Sequence, residues 1–220
     1  INVYSSLVKE NYINTNSKKI FVAPNAIFRY KNKKFSDNKK LMIVIPGRID
    51  KRRRYYEWIE TIKPILNNLE IKFIGKALTE SDLEIVKKLE SLGLSQVVKK
   101  VNQFISFDDF DKYLESADMF FVPLVELDNR KRRIDRNLGA FFDSVRYGKP
   151  LIVPSNVPTC SELKESVVTY NNDSDLLDLL RRLSVEKNTR DRIKEKAFQN
   201  SLEWTPEQMQ YVHQLENHLE

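Results

Sequence analysis

Residues 41–66 read LMIVIPGRIDKRRRYYEWIETIKPIL. The five apolar residues Leu41–Ile45 show no alternation, the pattern of a strand covered on both faces. A Pro46-Gly47 turn follows, and from Tyr55 to Leu66 apolar residues recur at helical spacing. Strand, glycine turn and helix form the unit from which open parallel sheets are built, with right-handed crossovers. This unit recurs along the chain. Further strands are predicted at Ile20–Ala23, Ile71–Ile74, Val97–Val101, Met119–Pro123, Leu151–Pro154 and Val167–Tyr170, all rich in Ile, Val and Phe. Helices are predicted at Glu80–Leu92, Phe110–Ser116 and Leu138–Tyr147. Past Tyr170 the pattern is fully helical, over Asp173–Leu183, Val185–Ser201 and Pro206–Leu215. The expected class is α/β: a parallel sheet flanked by helices, with a helical C-terminal extension.

Bulk composition narrows the function classes. At 220 residues, 41% hydrophobic and 31% charged, the chain suits one globular domain, or one domain with fragments of a neighbour. A domain of this size buries roughly 70% of its unfolded surface and needs no disulfide or metal staple. Cys160 is the only cysteine, which argues for a reducing, cytoplasmic compartment. His213 and His218 are the only histidines, so a Cys/His metal cluster is excluded and no metal site is expected. The longest apolar run, Met119–Val125, is seven residues and far short of a membrane span. The chain opens on Ile1 without a methionine and ends on Leu219-Glu220, which resembles a vector scar. The expectation is an excised piece of a longer protein.

The net charge is +6, with Lys and Arg crowded at 31–54 and 130–136. Such crowding points to an anionic partner: nucleic acid, a phosphate-bearing ligand or an acidic membrane. Lys51-Arg52-Arg53-Arg54 stands before a helix, where cations oppose the macrodipole by about 0.3–1 kcal/mol each. A glycine turn with arginines at a helix N-terminus is instead a cradle for phosphates, although solvated basic side chains are the bland alternative. The run Asp108-Asp109-Phe110-Asp111 spells Asp-x-Asp, a metal motif in some sugar transferases. Its place just before a helix favours capping. Asp135 and Asp143 flank Gly139 in DRNLGAFFDSVRYGKP. Two carboxylates so placed can accept hydrogen bonds from a polyol, and a glycine lets a ligand approach the first helical N–H groups. The alternative is one capping and one solvated aspartate.

These motifs occur in an order that resembles the C-terminal, donor-binding half of group 1 family glycosyltransferases with the GT-B fold. The likeness runs from about Lys19 to Trp204. Ile20–Asn25 (IFVAPN) resembles the leading strand and its Pro-Asn turn. Gly47-Arg48 is similar to the glycine–arginine pair after the first main strand, with Arg53 near the usual phosphate-binding lysine. Phe73-Ile74-Gly75, Glu115–Pro123 (ESADMFFVP), Asp143–Pro150 (DSVRYGKP) and Ser201–Trp204 (SLEW) follow in the family's sequence.

The resemblance implies a Rossmann-like fold, one half of a GT-B enzyme. It also implies a nucleoside-diphosphate sugar as donor substrate, with no cofactor and no metal. Transfer would be retaining, to a saccharide or lipid-linked acceptor in polysaccharide biosynthesis. The resemblance assigns catalysis to Asp135, Arg48 and Arg53, and donor binding to Gly47, Arg48, Arg53, Leu138, Gly139 and Asp143. The family's paired glutamates, for sugar and for ribose, are Asp135 and Asp143 here. Asp135-Arg136-Asn137-Leu138 replaces the usual Glu-Gly-Phe-Gly, and Leu124–Ile134 (LVELDNRKRRI) is longer and more basic than the family pattern.

The implied organisation is 1–18 as a remnant of an N-terminal domain or linker, 19–204 as the donor domain, and 205–220 as a closing helix with a tag scar. The missing acceptor domain would supply the rest of the site, so the fragment alone is expected to be inactive. The full-length protein would lie in the cytoplasm, with room for peripheral association at the inner face of the membrane. Two rivals stand beside this reading. One is a nucleic-acid-binding α/β domain, although nucleic acid is not expected because no interleaved aromatic–basic signature is present. The other is a degenerate GT-B-like domain that binds a protein partner without catalysis.

Overall fold

The computed structural model describes residues 2–3, 21–22, 38–49, 53, 55–96, 101, 103–123, 139–157, 159 and 161–216. Two short strands, β1 (Asn2–Val3) and β2 (Phe21–Val22), pair in parallel. The main sheet takes β3 (Leu41–Ile45), β4 (Leu69–Phe73), β5 (Ser95–Gln96), β6 (Met119–Phe121), β7 (Leu151–Pro154) and β8 (Val167–Tyr170). Its order is β5-β4-β3-β6-β7-β8, and every neighbouring pair is parallel. The chain winds outward from β3 to β5, returns past β3 to β6, and winds outward the other way. That is the doubly wound order, and it opens a crevice beyond the carboxyl ends of β3 and β6.

Six α-helices are described: α1 (Tyr55–Ile62), α2 (Glu80–Ser91), α3 (Phe107–Ser116), α4 (Gly139–Tyr147), α5 (Asp173–Val185) and α6 (Lys187–Glu216). The unbroken apolar run of β3 is buried along its whole length because both faces are covered. Leu41, Ile43 and Ile45 join Trp58 and Ile59 of α1 and the leucines of α5 in one core. Val44 joins Phe120, Val153 and Phe141 of α4 in the other. β4 departs from the expected pattern and alternates. Leu69, Ile71 and Phe73 are buried, while Glu70 and Lys72 are half-buried and paired at 3.0 Å.

Several element bounds differ from the sequence reading. The helix expected over Tyr55–Leu66 stops at Ile62 and continues as a 3-10 turn, Lys63–Asn68. Pro64 has no N–H for the α-ladder. Helix α3 starts at Phe107, not Phe110, because Ser106 caps it and accepts from the Asp109 amide at 3.1 Å. The acidic run therefore lies inside the first turns of the helix. Of the expected strand Val97–Val101, residues 97–100 lie outside the described set, and the pairing seen is at Ser95–Gln96. The two helices expected at Val185–Ser201 and Pro206–Leu215 are one, α6. Pro206 interrupts a single hydrogen bond there without ending the helix.

A buried charge pair ties α6 to the sheet. Lys194 Nζ lies 2.6 Å from Asp118 Oδ1, with the two side chains 2% and 1% exposed. Asp118 Oδ2 also accepts from the Met42 amide at 3.0 Å and from Asn38 Nδ2 at 3.2 Å. Beside it, the buried Lys149 ammonium donates to Ala117 O at 2.6 Å and Glu115 O at 2.9 Å, closing the end of α3. Burial draws the Lys149 pKa down to about 8.

Candidate functional site

At the carboxyl ends of β3, β4 and β6, where the winding reverses, lies a cavity of about 430 Å³. The turn after β3 supplies Pro46, Gly47 and Arg48, with Arg53 behind them. The turn after β4 supplies Ile74, Gly75, Lys76 and Leu78. The start of α4 supplies Gly139, Ala140 and Asp143, and the segment entering α3 supplies Gln103, Phe104, Ile105, Phe107 and Phe110.

The floor is main chain. A Cβ at Gly75 would lie 1.5 Å from Gly47 O, so only glycine allows the two turns to meet. Gly47 itself has φ +88°, a left-handed conformation that favours glycine, and a Cβ there would lie 2.7 Å from Arg53 Nη2. Arg53 is folded over that bare position and buried, its Nη1 donating to Pro46 O at 3.1 Å. Arg48 is half-exposed and donates from Nη2 to Asp82 Oδ2 at 3.2 Å. Asp82 is held by the capping box of α2, accepting from the amides of Leu78 (3.1 Å) and Thr79 (3.2 Å). The cationic wall thus rests on a structured helix start.

Opposite stands Asp143, half-buried on the second turn of α4. Burial raises its pKa to about 6; Arg146 pulls it down and Asp111 of α3 pushes it up. Gly139 adds no bulk, and a Cβ there would meet nothing within 4 Å. The third side is aromatic and largely exposed: Phe104 is 78% and Phe107 91% open to solvent. Lys76 Nζ sits 3.8 Å from the centre of the Phe104 ring.

Gly47, Arg48, Arg53, Gly139 and Asp143, singled out in the sequence, therefore line one cavity. Asp135 and Leu138, with Lys51, Arg52, Arg54 and the basic stretch 130–136, lie outside the described residues. Sequence reading missed the aromatic wall and Lys76. The available signal was QFISFDDF (103–110), where Phe104 and Phe107 are too polar in context to be core residues. The acidic run is used within the fold. Asp109 accepts from the Ser106 hydroxyl at 2.7 Å, and Asp111 accepts from the Tyr147 hydroxyl. Among the described residues no group of three or more His, Cys, Asp or Glu side chains is placed to hold a metal ion. Nor is any helix among them long and apolar enough to cross a membrane.

Solved structures place this architecture. A point mutant of S. aureus TarM, in a complex with fondaparinux, alpha-GlcNAc-glycerol and UDP, superposes with TM-score 0.67 at 14% identity, over 97% of this chain and 43% of that one. Anabaena HepE, in a complex with UDP and glucose, gives 0.64 at 11% identity, over 98% of this chain and 62% of that one. The C-terminal domain of the glycosyl transferase group 1 family protein LpcC from Francisella tularensis gives 0.53 at 16% identity, over 79% of this chain and 93% of that domain. No protein-family model and no curated protein matches the sequence. The chain has the Rossmann-like α/β fold of the C-terminal half of GT-B glycosyltransferases. It spans less than half the length of TarM and less than two thirds of HepE.

Proposed function

We propose that this chain is the donor-binding half of a glycosyltransferase that uses a nucleoside-diphosphate sugar. The observation that carries the reading is the cavity at the winding reversal, which sets a cationic, side-chain-free floor against a carboxylate. Diphosphate lies over Gly47 and Gly75 within reach of Arg48 and Arg53, and the N–H groups that begin α4 add to the positive field. When the glycosidic bond to the donor breaks, negative charge develops on the departing diphosphate. Fixed cations stabilise that charge without reorganisation and without a metal. Asp143 accepts the ribose hydroxyls, and the Phe104–Phe107 wall receives the flat face of the base. Asp135 orients the sugar. Retention of configuration, the saccharide or lipid-linked acceptor and a role in polysaccharide synthesis follow from the family resemblance. The acceptor groups belong to the N-terminal half of the protein, which at the inner membrane face would meet its acceptor.

Calorimetric titration of the chain with UDP, GDP, ADP and UDP-glucose, with amide shifts recorded in parallel, tests this. Saturable binding with shifts concentrated at Gly47, Gly75 and Gly139 is expected. Shifts confined to the opposite edge of the sheet would refute it. So would binding to a phosphate polymer alone with steep salt dependence, which is the nucleic-acid behaviour.

A further inference from the structure

Helices α3 and α4 pack together beside the cavity, and Asp111 bridges them. Asp111 accepts a hydrogen bond from the Tyr147 hydroxyl through Oδ1, and its Oδ2 lies 3.9 Å from Arg146 Nη2. Tyr147 and Arg146 stand four and three residues after Asp143, so all three share the same two turns of α4. Arg146 is the cation on that helix that pulls the Asp143 pKa down, and it is shared with Asp111. The groups facing Asp143 are Arg146 and Tyr147 on its own helix and Asp111 on α3. Across the cavity stand Arg48, Arg53 and Lys76 on the turns after β3 and β4.

We propose that Asp111 is a positioning residue for this pocket: held at the α3–α4 contact, it competes with Asp143 for Arg146 and adds a like charge, and so strengthens the loss of ribose-diphosphate capture in mild acid that burial of Asp143 begins. The inference rests on the donor-site reading above. An ionised Asp143 accepts two hydrogen bonds from a vicinal diol, whereas a protonated one must give up at least one of them. Burial and the Asp111 charge both favour the protonated form, with the midpoint at about 6. Taking Asp111 away removes the like charge and frees Arg146 to turn to Asp143. Both changes favour ionisation.

UDP-glucose is the probe, because its diphosphate is a diester that does not titrate near neutrality, unlike the terminal phosphate of UDP. Affinity of the chain is measured from pH 5 to 7.5 for the native sequence, Asp111→Asn, Tyr147→Phe and Asp143→Asn. A group titrating near 6 is about 90% ionised at pH 7 and about 10% at pH 5, so the native chain should lose up to roughly tenfold in affinity. Asp111→Asn keeps an acceptor for Tyr147 and should move the midpoint down by about half a unit or more. Tyr147→Phe removes the anchor but keeps both charges, so it should leave the midpoint in place. Asp143→Asn should abolish the pH dependence. The carboxyl carbon shift of Asp143, followed through the same titration without ligand, reads the coupling independently. An Asp143 midpoint that does not move in Asp111→Asn, by either readout, overturns the proposal. Absence of UDP-glucose binding at every pH, with the carbon midpoint still shifting, would instead sink the donor-site reading on which it rests.

Discussion

Replacing Lys194 by methionine isolates the energetics of the buried pair beneath the sheet. The ammonium and the Asp118 carboxylate are 2.6 Å apart and almost fully enclosed. Burial alone would raise the Asp118 pKa. The Lys194 hydrogen bond and charge, with the Met42 amide and Asn38, outweigh it and hold the carboxyl below its ordinary value. Lys194→Met fills a similar volume but leaves that buried carboxylate without its closest counter-charge, which costs about 3–5 kcal/mol. Against a total stability of roughly 5–15 kcal/mol this is a large fraction. With a urea slope of about 2–3 kcal/mol/M, the midpoint followed by far-ultraviolet circular dichroism should fall by about 1–2 M.

The sign of the pH effect is a second check. A native carboxyl with a depressed pKa contributes stability above its unfolded value and loses it only as pH falls through the folded value. In Lys194→Met the same carboxyl is raised, so the deficit should be largest at pH 7 and shrink towards pH 4. Adding Asp118→Asn removes the charge while its amide oxygen still accepts from Met42. The double variant should therefore be more stable than Lys194→Met alone. A loss below about 1 kcal/mol, or a double variant worse than the single one, would refute the reasoning.

Arg48→Ala should weaken UDP binding by about 1.5–3 kcal/mol, the range for a hydrogen bond to a charged group. The exposed Lys87, paired with Glu84 at 2.7 Å, should change nothing when replaced by alanine, and equal losses at both positions would signal diffuse electrostatics. Asp143→Asn should cut nucleotide affinity without unfolding the domain. Because the folded pKa of about 6 is raised, the native charge opposes folding as pH rises, so this variant should melt slightly higher at pH 8. A large fall in melting temperature with normal binding would make that carboxylate structural. Gly75→Ala forces a Cβ onto Gly47 O at 1.5 Å and should destabilise by about 3 kcal/mol or more; a melting temperature within about 2 °C of the native one would contradict this.

The α/β class was legible because β3, β6 and β7 are unbroken apolar runs and α1 buries Tyr55, Trp58, Ile59 and Ile62 at helical spacing. The glycines at strand ends marked the crevice for a similar local reason. Strand order was not legible, since pairing Ile43 with both Ile71 and Met119 is a long-range event with no local signature. The same limit hid Lys194, 76 positions from its partner Asp118, and Tyr147, 36 positions from Asp111. Asp111 reads in sequence as part of an Asp-x-Asp spelling weighed against helix capping, and neither reading points to Tyr147, because a carboxylate in a first turn satisfies local rules whatever else it touches. The polar context of Phe104 and Phe107 hints that they lie outside the core, but that they wall a cavity depends on where the sheet edge places them, which has no local signature.

The Gly47–Gly75 contact has a consequence for anyone wishing to retarget this pocket. A surface composed of peptide groups offers no alphabet to vary: every substitution there changes the backbone path before it changes chemistry. Diversity in what is accepted has to be written on the opposite bank, at Leu78, Phe104 and Phe107, where side chains project into open space and tolerate exchange. A library randomised at those three positions should yield folded variants with altered base preference. One randomised at the two glycines should yield mostly unfolded chains, so screening effort belongs on the aromatic side.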